Sequence, residues 1–195
     1  MSRRRPTSTA KRRRGAPPKK SQSSRPLLFG AAAIVLVLIA AVWINSARSG
    51  LSPALAQRVE TFPSEGAAHV PTGTKVTYRT DPPTSGPHYA SPAPPGFYER
   101  ALPDEVLVHN LEHGHVIIHY TPGTLTQEED DYITTLTLSY TNPWAAVVAV
   151  PREGMEHRFI LTAWRKMLRL DSLDKELVDG FIDAFIGRGP ENPIR

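Results

Sequence analysis

Histidines concentrate in one short stretch of this 195-residue chain, and their spacing suits metal binding. Four of the seven histidines lie between residues 103 and 120. His109 and His113 are four residues apart, so on a helix their imidazoles project from the same side and could share one metal ion. Helical zinc sites use this spacing, with a third ligand supplied from elsewhere. The stretch therefore predicts a metal site with His109 and His113 as ligands.

Two further residues beside this pair are candidates for the same site. Glu112 lies three residues after His109 and could act as a ligand, as a partner that orients a ligand, or as a surface charge. His115 could fold back toward the pair after the glycine at 114. The alternative interpretation needs no metal, because histidines at helical spacing also occur on surfaces and as packed core pairs.

The stretch divides into a helix, a glycine hinge and a strand, which together would position the histidines. Asp104 follows a proline and is a candidate N-cap, where its carboxylate would accept from free backbone N–H groups. Gly114 is the residue expected just past the helix end. Residues 115–120 alternate and are rich in β-branched side chains, which predicts a strand.

A proline-rich segment precedes the helix and offers a third ligand. Residues 81–103 contain seven prolines, which reduce the conformational freedom that folding must remove. Gly86 permits a tight turn, and that turn would present His88 on a preset backbone. The segment thus predicts His88 as the ligand that completes the pair. The alternative is a surface loop whose His88 and Tyr89 only pack.

The rest of the domain predicts an α+β fold, because strands and helices alternate without a regular βαβ period. We expect one small mixed or antiparallel sheet, with about three helices on one face. The further elements are a strand at 75–78, a helix from Leu125 with a Thr126–Glu129 capping box, a hairpin of strands at 144–150 and 157–164, and a final amphipathic helix from Leu173.

The N-terminal part predicts a membrane anchor. Residues 1–25 carry ten Lys or Arg and no acidic residue, which predicts a disordered basic tail in the cytoplasm. Residues 26–45 contain the 18-residue uncharged run Leu27–Ile44, which at ~1.5 Å per residue just spans a bilayer core of ~30 Å. We interpret this run as an uncleaved, single-pass signal anchor. The alternative is a cleaved signal peptide with Ala54-Leu55-Ala56 as its site.

This anchor sets the predicted organisation of the chain. Residues 46–59 form a linker, and residues 60–195 form a domain outside the cytoplasm. The formal charge of +4 belongs to the tail, since the chain from Glu60 onward has a net charge of −8. The folded part therefore offers no basic surface for nucleic acid, while the tail suits anionic lipid head groups. The absence of cysteine excludes disulfides, cysteine-based zinc sites and thiol chemistry.

Two motifs resemble a known family. PPTSGPH at 82–88 and HNLEHG at 109–114 are together similar to a bacterial family of membrane-anchored extracytoplasmic domains of unknown function. The resemblance covers about residues 69–191. It implies a class of protein and a location outside the cytoplasm, but it implies no particular reaction. Its motif histidines correspond here to His69, His88, His109 and His113. His69 thereby joins Glu112 and His115 as an additional candidate ligand.

Three functional hypotheses follow. In the first, an anchored domain binds copper or zinc, because imidazole ligands without thiolate suit Cu(II), Zn(II) and similar ions. In the second, the same histidines hold a metal for an enzyme, with Glu112 as acid–base group and Tyr89 as an alternative hydrogen-bonding group. In the third, the domain binds another envelope protein, and its histidines are structural or pH-responsive.

Overall fold

The computed structural model describes residues 51–191, in which four helices and nine strands form the fold. The predicted basic tail (1–25) and signal anchor (26–45) lie outside the described residues. Within 51–191, none of the helices combines the length and apolarity that a membrane crossing requires. The helices are α1 (Pro53–Arg58), α2 (Asp104–Glu112), α3 (Gln127–Ser139) and α4 (Lys175–Phe185). The strands are β1 (Glu60–Thr61), β2 (His69–Val70), β3 (His88–Tyr89), β4 (Gly96–Phe97), β5 (Val116–Tyr120), β6 (Thr141–Asn142), β7 (Ala145–Pro151), β8 (Phe159–Ala163) and β9 (Lys166–Leu170).

Seven of these strands form one mixed sheet with β5 at its centre. The order is β1-β9-β8-β5-β7-β4, and β6 pairs with β7 outside this path. β5 runs parallel to β7 and antiparallel to β8. The α+β class and the mixed sheet are therefore as the sequence predicts.

Helices cover both faces of this sheet, so the prediction that they lie on one face was wrong. Val116 and Ile118 of β5 pack with α1, α3 and α4 in the main core. Ile117, between them, faces the other way and packs against Leu107 and Leu111 of α2. Every residue of β5 is buried, as expected for a strand covered on both sides.

Two strand predictions need correction. The strands at 144–150 and 157–164 do not form a hairpin, because β5 lies between β7 and β8 and pairs with both. Residues 75–78 are not a strand, since their polar groups bind side chains and loops instead of a neighbouring strand. The N–H of Val76 donates to the Glu105 carboxylate at 3.0 Å, and the Tyr78 hydroxyl donates to the Pro87 carbonyl at 2.7 Å.

The segment before β1 packs onto the domain. Ser52 caps α1 by accepting a hydrogen bond from the Leu55 N–H, and Pro53 occupies the first turn, where proline is tolerated. Leu55 is only 1% exposed and lies in the main core. Residues 53–58, within the predicted linker, are therefore helical, and they bring the number of described helices to four.

Candidate metal centre

Helix α2 places three of the predicted residues side by side. His109 and Glu112 lie in its last turn, and His113 is its C-cap. Spacings of three and four residues put all three on one side of a helix. Gly114 then adopts φ +93°, which ends the helix and turns the chain into β5. Asp104 is the first helical residue and Pro103 the N-cap, because the Asp104 carboxylate binds Arg152 instead of capping the helix.

A small parallel pair of strands brings the other two histidines to this helix. β2 and β3 pair with His69 directly opposite His88, and β3 packs against α2. The rings of His69, His88 and His109 form a triangle with centroid separations of 5.0, 5.1 and 5.1 Å. The structure thus gathers side chains that are up to 43 positions apart in the sequence, from residue 69 to Glu112.

The proline-rich segment holds His88 as the sequence suggested, on a fixed turn. Gly86 has φ +133°, and a Cβ there would lie 2.8 Å from the Tyr78 ring. The same Tyr78 anchors Pro87 through its hydroxyl. Both the conformation and the close contact require glycine. The turn buries His88 completely.

The hydrogen bonds of His88 show which of its ring nitrogens faces the cluster. Its Nδ1 lies 2.8 Å from the Gly86 carbonyl, which only accepts, so Nδ1 carries a proton and donates. Its Nε2 lies 2.8 Å from Oε2 of Glu112. In a neutral ring that Nε2 is an acceptor, and a carboxylate is also an acceptor. A cation, either a proton or a metal ion, is needed between these two atoms.

His109 is oriented in the same way. Its Nδ1 donates to the Tyr89 carbonyl at 2.8 Å, which leaves Nε2 for the cluster. Burial, followed by the repulsion that a charge on His113 would add, lowers the pKa of His109 to about 4. His109 is therefore neutral at physiological pH, with a lone pair on Nε2, which is the state that binds metals.

Four side chains form what we call the inner group: His69, His88, His109 and Glu112. Their ligand atoms all lie within 4.8 Å of one another. His88, His109 and Glu112 are buried, whereas the His69 side chain is 45% exposed and opens the group to solvent. Imidazoles whose second nitrogen donates to a backbone carbonyl are typical metal ligands. The inner group could therefore hold a metal ion.

A second set, which we call the outer group, consists of His109, His113 and Glu191. Nε2 of His113 lies 2.9 Å from Nε2 of His109 and 3.3 Å from Oε2 of Glu191. The ligand atoms of this set also lie within 4.8 Å of one another. The predicted trio of His88, His109 and His113 is thus divided, because His113 belongs to the outer group and only His109 is shared.

His115 lies beside the centre but has both ring nitrogens occupied. Its Nδ1 is 3.0 Å from the Asn110 amide nitrogen, which donates, so Nε2 carries the proton and donates to the Pro143 carbonyl at 2.8 Å. Burial lowers the pKa of His115 to about 4, so the ring is neutral. His115 was predicted to fold back toward the site, but it belongs to neither group. His115 instead connects α2 to the turn before β7.

Sequence reasoning missed two residues of the site. Asn110 joins the proline-rich loop to α2, since its side chain binds both the N–H and the carbonyl of Ala93 at 3.0 and 2.7 Å. Its place inside the HNLEHG motif was the signal that could have identified it. Glu191 follows a glycine–proline turn near the C-terminus, and no local pattern connects it with α2.

Fold and site together define the class of this protein, an α+β domain with a buried histidine–carboxylate group that could hold a metal ion. The family model described as Protein of unknown function (DUF3105) matches residues 69–194. This match covers more than half of the chain, so the chain belongs to that family. The resemblance to a family of unknown function is confirmed. No curated protein and no solved structure gives a significant match.

Proposed function

We propose that this protein binds one transition-metal ion, copper or zinc, at the inner group and presents it outside the cytoplasm from a membrane anchor. The orientation of His88 and His109 carries this proposal. Each Nδ1 donates to a backbone carbonyl, so each Nε2 faces the cluster. The Nε2 of His88 meets the Glu112 carboxylate where a cation is required.

The donor set supports the choice of metal. Three imidazoles and one carboxylate are borderline and hard ligands, and the chain has no cysteine. Such a set suits Zn(II) or Cu(II) better than Cu(I), which prefers thiolate and thioether sulfur. The partial exposure of His69 allows the ion to exchange with solvent. Exchange of this kind fits a protein that stores or delivers a metal.

Glu112 supports binding over the enzyme hypothesis. A general base needs a carboxylate that stays free to reach a substrate or a water. Oε2 of Glu112 instead lies 2.8 Å from His88 and 3.5 Å from His69, inside the donor set. The carboxylate is therefore better placed to ligate the ion and balance its charge than to transfer protons.

Metal analysis of the purified full-length chain, prepared without a polyhistidine tag, tests this proposal. We expect one equivalent of zinc or copper to survive dialysis. His88→Ala should weaken binding at least ~100-fold, because losing even a partner that orients a ligand costs ~10–100-fold. His157→Ala is the matched control, since His157 is partly exposed and pairs with Asp171 away from both groups. Equal metal retention in His88→Ala and the parent would exclude the inner group.

Labelling of introduced cysteines tests the proposed location, and the absence of native cysteine makes the background clean. Leu138 is 73% exposed, so Leu138→Cys offers a reactive thiol on the folded domain. A membrane-impermeant maleimide should label it in intact cells, whereas Ser2→Cys in the basic tail should react only after lysis. The reverse pattern would overturn the proposed orientation. Recovery of the chain in the soluble fraction would overturn the anchor and, with it, the contact of the tail with anionic lipids.

A further inference from the structure

The inner and outer groups share a single ligand atom. Nδ1 of His109 donates to the Tyr89 carbonyl, so Nε2 is the only nitrogen of this ring that can bind a metal. The outer group needs that Nε2 to reach three ligands, and the inner group needs it to reach four. One lone pair binds one ion at a time. The two groups are therefore alternative positions for the same ion and cannot both be complete together.

The outer group is the more accessible of the two. Two of its three side chains reach solvent, since Glu191 is 47% exposed and His113 is 16% exposed. In the inner group only His69 does so, at 45%, and the other three side chains are buried. A carboxylate and an imidazole at the surface can take up a hydrated cation before it has lost most of its water. From there, His109 is the next ligand inward, because its Nε2 lies 2.9 Å from that of His113.

We propose that the outer group is the entry site for the metal, and that the ion moves from His113 and Glu191 to the inner group while it stays bound to His109. This inference rests on the proposed function, since it needs the inner group as destination. The transfer is a ligand exchange without change of oxidation state. His88 and Glu112 replace His113 and Glu191 around the ion.

The segment that carries Glu191 is fixed to the helix that carries His109. The Gly187 N–H donates to the Gly114 carbonyl at 2.7 Å, and the Glu191 N–H donates to the Glu112 carbonyl at 3.2 Å. A Cβ on Gly189 would lie 2.0 Å from the Glu112 carbonyl oxygen. Backbone contacts this close keep the Glu191 carboxylate at the end of α2, so the outer group is a defined part of the fold.

Trp144 provides an optical reporter. Its ring lies 4.3 Å from the ring of His113, and bound Cu(II) quenches the fluorescence of a tryptophan at such a distance. The full-length chain, stripped of metal, is mixed with Cu(II) in a stopped-flow instrument. Trp144→Phe identifies the part of the signal that belongs to this residue.

We expect Glu191→Gln to slow loading roughly tenfold, at the lower end of what a charge at a site entrance contributes, while equilibrium affinity from competition titration stays nearly unchanged. Glu156→Gln is the matched control. It removes the same charge from an exposed residue beyond the C-terminal end of β7, and β7 runs parallel to β5. Glu156 therefore lies at the opposite end of the sheet from His113, and its variant should load at the parent rate.

A second pair of variants tests the outer group directly. In His88→Ala, excess Cu(II) should bind weakly at the outer group and still quench Trp144, and His88→Ala with Glu191→Gln should lose that binding. If Glu191→Gln takes up Cu(II) at the parent rate, the outer group is not the entry site, and the ion reaches the inner group directly past His69. Tight binding of two metal equivalents by the parent would contradict the inference that only one group at a time can bind an ion through His109. A parent that binds no metal would instead contradict the proposed function itself.

Discussion

Four of the histidines near α2 and β5 show that the hydrogen-bond partners of a ring, more than its position, decide what it can do. His88 and His109 each give one nitrogen to a carbonyl and keep the other for the cluster. His115 gives both nitrogens to protein groups. His119 is buried on β5, where Nε2 lies 3.2 Å from the Thr162 hydroxyl. Only the first two are therefore oriented as buried ligands.

His119 should make the stability of the domain sensitive to acid. It is 1% exposed, and among the described residues its Nδ1 has no hydrogen-bond partner. Burial, with a smaller contribution from Arg152, lowers its pKa well below the ordinary value. The folded state keeps the ring neutral, whereas the unfolded chain binds a proton below pH ~6.5. Keeping His119 neutral therefore costs the folded state nothing above that pH. As the pH falls below it, protonation favours the unfolded chain, and the domain loses stability.

Replacing this ring tests the prediction. Between pH 7 and pH 5 the free energy of unfolding of the parent should fall more steeply than that of His119→Leu, because only the unfolded parent takes up a proton at this position. Urea unfolding at several pH values, with a chelator present to remove metal ions, gives both curves. If the parent and variant curves run parallel across this range, His119 is not held neutral in the fold.

At the residue scale, sequence patterns identified most of the inner group and two of the three residues of the outer group, His109 and His113. His109 and Glu112 follow from helical spacing, and His88 from the proline-rich turn before it. His69 came from the family resemblance, since its own surroundings carry no signal. Glu191 reaches the site through backbone bonds between distant segments, which local patterns do not reveal.

At the scale of elements, the turn after α4 packs directly against the end of α2 and leaves no room for a side chain at Gly189. Gly189→Ala places a methyl group against the Glu112 carbonyl. We expect the turn to be displaced, with a loss of about 1–3 kcal/mol of stability, as overpacking usually costs. Thermal unfolding gives the stability, and Cu(II) loading should slow as in Glu191→Gln because Glu191 moves with the turn.

Gly123→Ala is the control for this substitution. Gly123 has φ +72° and no atom within 4 Å of an added Cβ, so alanine there costs only the left-handed conformation, about 1 kcal/mol. It should leave metal loading unchanged. Gly189→Ala with parent-like stability and loading would show that the turn does not depend on this contact.

Elements with local signals were predictable, and pairings between distant strands were not. The Thr126–Glu129 capping box at the start of α3 is present as predicted. β9 was missed because Arg165 in the turn before it adopts φ +63°, a conformation that sequence patterns assign to glycine or asparagine. The prediction that β7 and β8 form a hairpin was wrong for a different reason. β5 lies between them in the sheet, and that strand order depends on contacts along the whole chain.

At the scale of the whole molecule, α1 extends the folded unit toward the N-terminus. Leu55→Ala should cost about 2–5 kcal/mol in the free energy of unfolding, as for other buried leucines. Leu138→Ala is the matched control, because Leu138 is 73% exposed and surface changes usually stay within about 0.5 kcal/mol. Urea unfolding measures both. Equal effects of the two substitutions would show that α1 is not part of the cooperative unit.

The pairing of β1 with β9 has a consequence for how the domain folds. Glu60 lies opposite Met167, and Lys166 donates to the Thr61 hydroxyl across a separation of 105 residues. Contacts between residues so far apart require a large loop to close, and they form slowly. We therefore expect this edge to join the sheet after the rate-limiting step. Weakening it should leave the refolding rate nearly unchanged and accelerate unfolding, so this edge governs how long the domain persists once it has formed.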